Sequence, residues 1–231
     1  MSGIRFDRVT VHPTGADRPI LHETSLHLTE QRVALIGANG SGKSTLARLV
    51  NGLVHPTTGH VLVEGLDVAE QGAEVRRRVG FAFTDPTAQL VMPTAGEDVM
   101  LSLRRTHRGK AERRRAADEV LAAYGLDGFA DRSVHTLSGG QRQLLAMAGV
   151  LATGPSILVA DEPTTLLDLR NTRRIADLLF SLDQQLLLLT HDLDLAARCE
   201  RVLVVDEGRV VHDGAAEDAV AAYRHLVETA P

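Results

Sequence analysis

The stretch VALIGANGSGKSTLARL, residues 33–49, decides the fold. A short apolar run passes through glycines at 37, 40 and 42 into a segment with helical patterning. Gly37 to Thr45 match the spacing G-x-x-x-x-G-K-S/T, after a strand and before a helix, where a phosphate-binding loop needs to lie. Glycines there let the backbone curl with its N–H groups inward, and the helix that follows adds its positive end. Gly37, Ala38, Asn39, Gly40, Ser41, Gly42, Lys43, Ser44 and Thr45 are the expected phosphate-binding set. Lys43 would pair with the β- and γ-phosphates, and Ser44 would offer its hydroxyl to Mg²⁺. A plain glycine turn capping a helix has no need of the lysine and hydroxyl in register. The expected ligand is a nucleoside triphosphate.

Working outward, further apolar runs end in Gly, Asp or His: SILVADE (156–162), LLLLTH (186–191) and RVLVVDEG (201–208). Runs rich in Val, Ile and Leu without alternation suit strands buried on both faces of a largely parallel sheet. Helices are expected at about 44–52, 141–152, 169–182 and 192–199, which makes the chain α/β. IRFDRVTV (4–11), ETSLHL (23–28) and HVLVEG (60–65) are more polar and set apart by turn chemistry such as HPTGADRP (12–19), which predicts an N-terminal antiparallel sheet. From about 85 to 136 strong strands are absent, and AERRRAADEVLAAYG (111–125) reads as a helix. One domain over 1–231 is expected, with a helical subdomain inserted at roughly 85–150.

With 231 residues and 44% hydrophobic content the chain can bury a sizeable core. The single cysteine, Cys199, excludes an internal disulfide framework, and with no leader pattern at the N-terminus the cytoplasm is the expected compartment. No apolar run approaches the roughly 18 residues of a membrane span, so any membrane connection goes through a partner. A net charge of −5 argues against a nucleic-acid partner. The basic run at 104–120 reads as a solvated helix face rather than a contact with lipid headgroups or an acidic partner.

Asp161 closes the run ILVA, so its carboxylate emerges where an α/β sheet places ligands, as a second Mg²⁺ anchor. Glu162 is placed to activate a water against the γ-phosphate, although alone the pair could merely cap a turn. His191, at the next strand end, can contact a phosphate oxygen or orient that water. Leu137, Ser138, Gly139, Gly140 and Gln141 form LSGGQ before an amphipathic helix, with Ser138 in a capping position.

The ordered set of phosphate loop, LSGGQ, Asp161–Glu162 and His191 resembles that of the ABC-type ATPases, over nearly the whole chain. The resemblance implies a P-loop NTPase fold with an ABC-type cassette: a parallel core sheet flanked by helices, an N-terminal antiparallel β subdomain and an inserted helical subdomain. It implies ATP hydrolysis with Mg²⁺, and a head-to-tail dimer, expected to be a homodimer, in which residues 137–141 close on the ATP of the other copy. Asp168 takes the D-loop place at the dimer seam, with Thr165 and Leu166 where Ser and Ala are typical. His12 falls where the family stacks an aromatic ring on adenine.

FAFTDPTAQLVMPT (81–94) then occupies the place where the family senses the γ-phosphate and docks a membrane subunit. Thr84 stands where a glutamine is usual, so it is expected to reach Mg²⁺ through a water. Leu90, Val91 and Met92 are expected to line the docking groove, with Glu97 and Asp98 taking arginines from the partner; folding into the local core is the other reading. The form of this stretch is similar to the ATPases of energy-coupling factor (ECF) importers, most of all those of biotin, with cobalt or nickel import as the alternative. A soluble non-transport ABC ATPase is a further one. This implies a peripheral subunit at the cytoplasmic face of the membrane, partnered by a transmembrane coupling subunit and a substrate-binding membrane subunit.

Overall fold

A computed structural model of the chain describes residues 3–15 and 18–229, and Ala16 and Asp17 of the expected HPTGADRP turn lie outside the described residues. The chain divides into two units, one built from residues 1–79, 156–162 and 182–231 and the other from 80–155 and 163–181.

The first unit contains two sheets. β1 (Ile4–Val11), β2 (Leu21–Leu28), β4 (Thr58–Val63) and β5 (Leu66–Asp67) form an antiparallel sheet in the order β2-β1-β4-β5. β1 and β2 mix buried and exposed positions, as strands with one solvated face require, and the alternation breaks where β1 shifts register against β2. The other sheet carries β3 (Arg32–Ile36), β7 (Ile157–Asp161), β8 (Gln185–Leu189), β9 (Arg201–Asp206) and β10 (Arg209–Ala215). β3 pairs in parallel with β8 and β9, and β7 with β8, while β10 closes the far edge antiparallel to β9. β3 and β7 are buried along their whole length, which is why their sequences show no alternation.

Register carries the functional consequence. Leu35 lies opposite Leu189, Leu189 opposite Asp161, and Ile36 opposite Val204, so the C-terminal ends of four parallel strands finish at one sheet edge. α1 (Lys43–Leu49) and α7 (Leu193–Ala196) follow two of those ends. α7 stops after one turn, shorter than the helix expected at 192–199. α2 (Gly72–Arg78) and α8 (Ala216–Thr229) are elements the sequence reading did not mark out.

The second unit begins within β6 (Val79–Ala82) and holds α3 (Ala95–Ser102), α4 (Lys110–Ala123), α5 (Gly139–Leu151) and α6 (Leu169–Ser181). α5 is its buried centre, in contact with α3, α4 and α6. α4 buries only Ala117 and Leu121, and Arg113 and Arg114 are tied locally, to the carbonyls of His107 and Arg108 and to Asp131. That agrees with a solvated helix face. Among the described residues no helix is long and apolar enough to cross a membrane.

Candidate functional site

In the first unit the loop after β3 delivers its residues to the C-terminal edge of the parallel sheet. Gly42 caps α1 without a side chain, so the first N–H groups of the helix receive no side-chain acceptor there. Lys43 is buried, and its ammonium donates to the carbonyls of Gly37 at 2.7 Å and Ala38 at 2.8 Å. Three protons sit on that nitrogen and two are engaged, which leaves one for an anion. Burial lowers the Lys43 pKa, while Glu162 and Asp161 pull it back up. The Ser41 hydroxyl is buried without a hydrogen-bond partner.

Ser44 Oγ donates to Asp161 Oδ1 at 3.2 Å, and Arg48 Nη2 lies 3.6 Å from Asp161 Oδ2. Asp161 is 2% exposed, and burial raises its pKa against the Ser44 hydrogen bond and Arg48. A buried carboxylate beside a hydroxyl is an oxygen donor set that fits Mg²⁺, which binds one or two protein oxygens and fills its shell with phosphate and water. Glu162 sits in the left-handed region, φ 52°, with its N–H on the Leu189 carbonyl at 3.0 Å. Its Oε2 lies 2.7 Å from His191 Nδ1. A carboxylate only accepts, so Nδ1 is the donor of this bond.

The first unit thus brings together residues 37–45, Asp161, Glu162 and His191. It holds His12 by other means: the His12 N–H donates to Thr57 Oγ1 at 2.8 Å and its Nδ1 is 3.3 Å from the Pro13 carbonyl. Three residues of this region escaped the sequence reading. Arg48 lies one helical turn beyond Ser44, a spacing that signals a shared face. Ile20 is a 42% exposed side chain whose carbonyl comes within 3.0 Å of where a Cβ on Gly42 would stand. Gly208 donates its N–H to the Ser41 carbonyl at 2.8 Å, a contact from a distant hairpin that no local pattern could announce.

The second unit holds Thr84, residues 137–141 and Asp168. Ser138 caps α5 in a reciprocal box: the Gln141 N–H donates to Ser138 Oγ at 3.3 Å and Gln141 Oε1 accepts the Ser138 N–H at 2.9 Å. Phe83, beside Thr84, donates its N–H to Gln89 Oε1 at 3.2 Å. The expected acidic rim is corrected at one position. Asp98 is buried, and its Oδ1 accepts the N–H groups of Val91 at 2.9 Å and Met92 at 3.0 Å. It fixes the loop from inside and is not available to a partner's arginine, whereas Glu97 is exposed. Leu90 and Met92 are half-buried, and Val91 stands out at 66% exposure.

Residues 21–165 match the family model described as ABC transporter. The chain belongs to the ABC transporter family. The matched span takes in the phosphate loop, residues 137–141 and Asp161–Glu162, and it ends before Asp168 and His191. The biotin transport ATP-binding protein BioM of Rhizobium etli is 44% identical over 209 residues, covering 90% of this chain and 93% of its own. Among solved structures, CbiO1 of Clostridium perfringens, described as part of the ABC transporter complex CbiONQ, aligns with a TM-score of 0.83 at 29% identity. That alignment covers 97% of this chain and 92% of CbiO1. The cassette MJ0796, a dimer in a post-hydrolysis state bound to ADP and Pi, gives a TM-score of 0.81 at 31% identity over 92% of this chain and 98% of its own. This ABC cassette is therefore an ATPase.

Proposed function

We propose that this cassette is the ATP-hydrolysing subunit of an ECF-type importer, taking up biotin through separate membrane chains from the cytoplasmic face of the membrane. The observation that carries the chemical part is the cluster of Lys43, Ser44, Asp161, Glu162 and His191 at one sheet edge. The likeness to BioM supports biotin, and cobalt or nickel import is the second reading.

Both units are assigned to one cassette domain, with the second as its helical subdomain. Residues 37–45 hold the phosphates of ATP, and Lys43 meets the β- and γ-phosphates with its remaining proton. Ser44 and Asp161 are the protein oxygens for Mg²⁺, which supplies charge neutralisation for the phosphates when bound. Glu162 orients a water and accepts its proton, and His191 holds the Glu162 carboxylate through Nδ1. Residues 137–141 and Asp168 serve the ATP of a second copy of the chain, as in a homodimer, and Thr84 takes the γ-phosphate-sensing place. His12 and the apolar Ile20 are the candidates for the adenine faces.

Glu162→Gln keeps the side chain's shape and removes the base. ATP affinity should hold while turnover falls at least about a hundredfold; unchanged turnover in a steady-state phosphate-release assay would refute the base assignment. For the cargo, the chain is reconstituted in vesicles with its membrane partners and given labelled biotin or Co²⁺. ATP-dependent uptake of Co²⁺ but not biotin would replace the first reading with the second.

A further inference from the structure

The second unit contains a contact that none of these roles uses. A Cβ placed on Gly140 would collide with the side chain of Asn171, with Oδ1 and Cγ nearest and Nδ2 at 2.8 Å. A Cβ on Gly139 would meet only the Leu166 carbonyl, at an ordinary 3.9 Å. The two adjacent glycines therefore differ: the first is open, and the second is glycine because an amide from α6 lies against its backbone.

Asn171 is itself fixed by Asp168. Asp168 Oδ1 accepts the Asn171 backbone N–H at 2.8 Å, and Oδ2 accepts the amide Nδ2–H at 3.0 Å. The Thr172 N–H adds a bond to the Asp168 carbonyl at 2.8 Å. Hydrogen bonds to a carboxylate are roughly twice as strong as neutral ones. With one Nδ2 proton committed to Asp168, the orientation of the amide is set and its face lies against Gly140. Turning Asn171 away from Gly140 would break the amide bond to Asp168, and moving the start of α5 toward α6 would drive Gly140 into Asn171.

We propose that Asn171 is a positioning residue that locks Asp168 to the loop 137–141, so that closure of this loop on the nucleotide of a second copy sets the place of Asp168 at the same time. The link gives this chain a physical route between residues 137–141 and Asp168, which closes the stretch TTLLD. It rests on the assignment of residues 137–141 to the ATP of a second copy.

Two substitutions test it in the full chain. Asn171→Ala empties the space against Gly140. Asn171→Asp keeps the volume there but replaces the donor facing Asp168 with a like charge. ATP hydrolysis is followed against ATP concentration, dimerisation is followed by light scattering with ATP in a Glu162→Gln background, and a fluorescent ADP analogue and the melting temperature report on the monomer. In both variants kcat should fall at least about tenfold and the sigmoidal ATP dependence should flatten to a Hill coefficient of about 1. ADP-analogue affinity and melting temperature should match the unaltered chain. Hydrolysis within about twofold of the unaltered chain in either variant, with cooperativity retained, overturns the link. So does a loss that runs parallel to weaker ADP-analogue binding or a lower melting temperature, since that marks a merely structural residue. An unaltered chain that neither dimerises nor responds cooperatively to ATP removes the underlying assignment, and the link with it.

Discussion

Asp161 and Lys43 are a buried acid and a buried base whose charges act on one another, and burial works against the charged form of each. Burial raises the Asp161 pKa, so the folded chain binds that proton more tightly than the unfolded chain does. Stability from this group is therefore highest below the ordinary carboxyl pKa, falls as pH rises through the raised value, and stays lower at neutral pH. Asp161→Asn, which keeps an acceptor for Ser44, should melt no lower than the unaltered chain at neutral pH without ligand, and it should lack the loss of stability on leaving acid pH. With Mg²⁺ and ATP the order should reverse, because only the carboxylate is stabilised by the ion. Calorimetry with and without Mg–ATP reads both arms; a ligand-free melting temperature clearly below that of the unaltered chain would contradict the burial argument. Asp161, Glu162 and His191 were legible because strand ends point their side chains at one edge. Asp98 was misread since its carboxylate is buried and taken by two backbone N–H groups of its own unit, a pairing that leaves no trace in residue spacing.

Two hairpins of this cassette use the same dipeptide, Glu-Gly, for different ends. Glu64–Gly65 joins β4 to β5 and Glu207–Gly208 joins β9 to β10, both with positive φ at the two central residues (50° and 84°, 42° and 72°). That is the turn geometry that suits the twist of paired strands, and it favours glycine at the second place. Around Gly65 a Cβ meets nothing within 4 Å. At Gly208 a Cβ would collide with the Ile20 carbonyl oxygen and stand 3.0 Å from its carbon, while the Gly208 N–H props the phosphate loop through the Ser41 carbonyl at 2.8 Å. Gly65→Ala should lower stability by about 1–2 kcal/mol, the left-handed penalty alone. Gly208→Ala should lower it by about 3 kcal/mol or more and weaken ATP-analogue binding, since overpacking adds to the same penalty. Urea unfolding and a fluorescence titration compare them, and equal effects of the two changes would show that the hairpin does not brace the loop. The dipeptide marks both turns in the sequence, but the brace was hidden: Ser41 and Gly208 approach one another only through the pairing of β3 with β9.

At the scale of the whole molecule, the parallel strands were readable because burial on both faces suppresses alternation, and the antiparallel sheet because one solvated face restores it. The short helices α2 and α7 were missed or overdrawn, since one or two turns are too few to display a period. What no strand or helix pattern can supply is how the proposed importer subunit, without a membrane-crossing helix among its described residues, would reach a membrane. The proposed answer is the loop 84–92, where Asp98 pins the backbone at Val91 and Met92 from inside and leaves the Val91 side chain outward. A rigid loop presenting an exposed apolar side chain suits a partner helix, because the loop's order has been fixed before binding. The chain should then sediment with membranes only when its membrane subunits are co-expressed. Val91→Asp should abolish that sedimentation while nucleotide binding and melting temperature stay unchanged, since the side chain contributes little to the core at this exposure. Asp98→Ala should instead loosen the loop, weakening sedimentation and lowering the melting temperature together, because the N–H groups of Val91 and Met92 lose the oxygen that accepts both. Sedimentation of the Val91→Asp chain at the level of the unaltered one would move the docking face away from this loop.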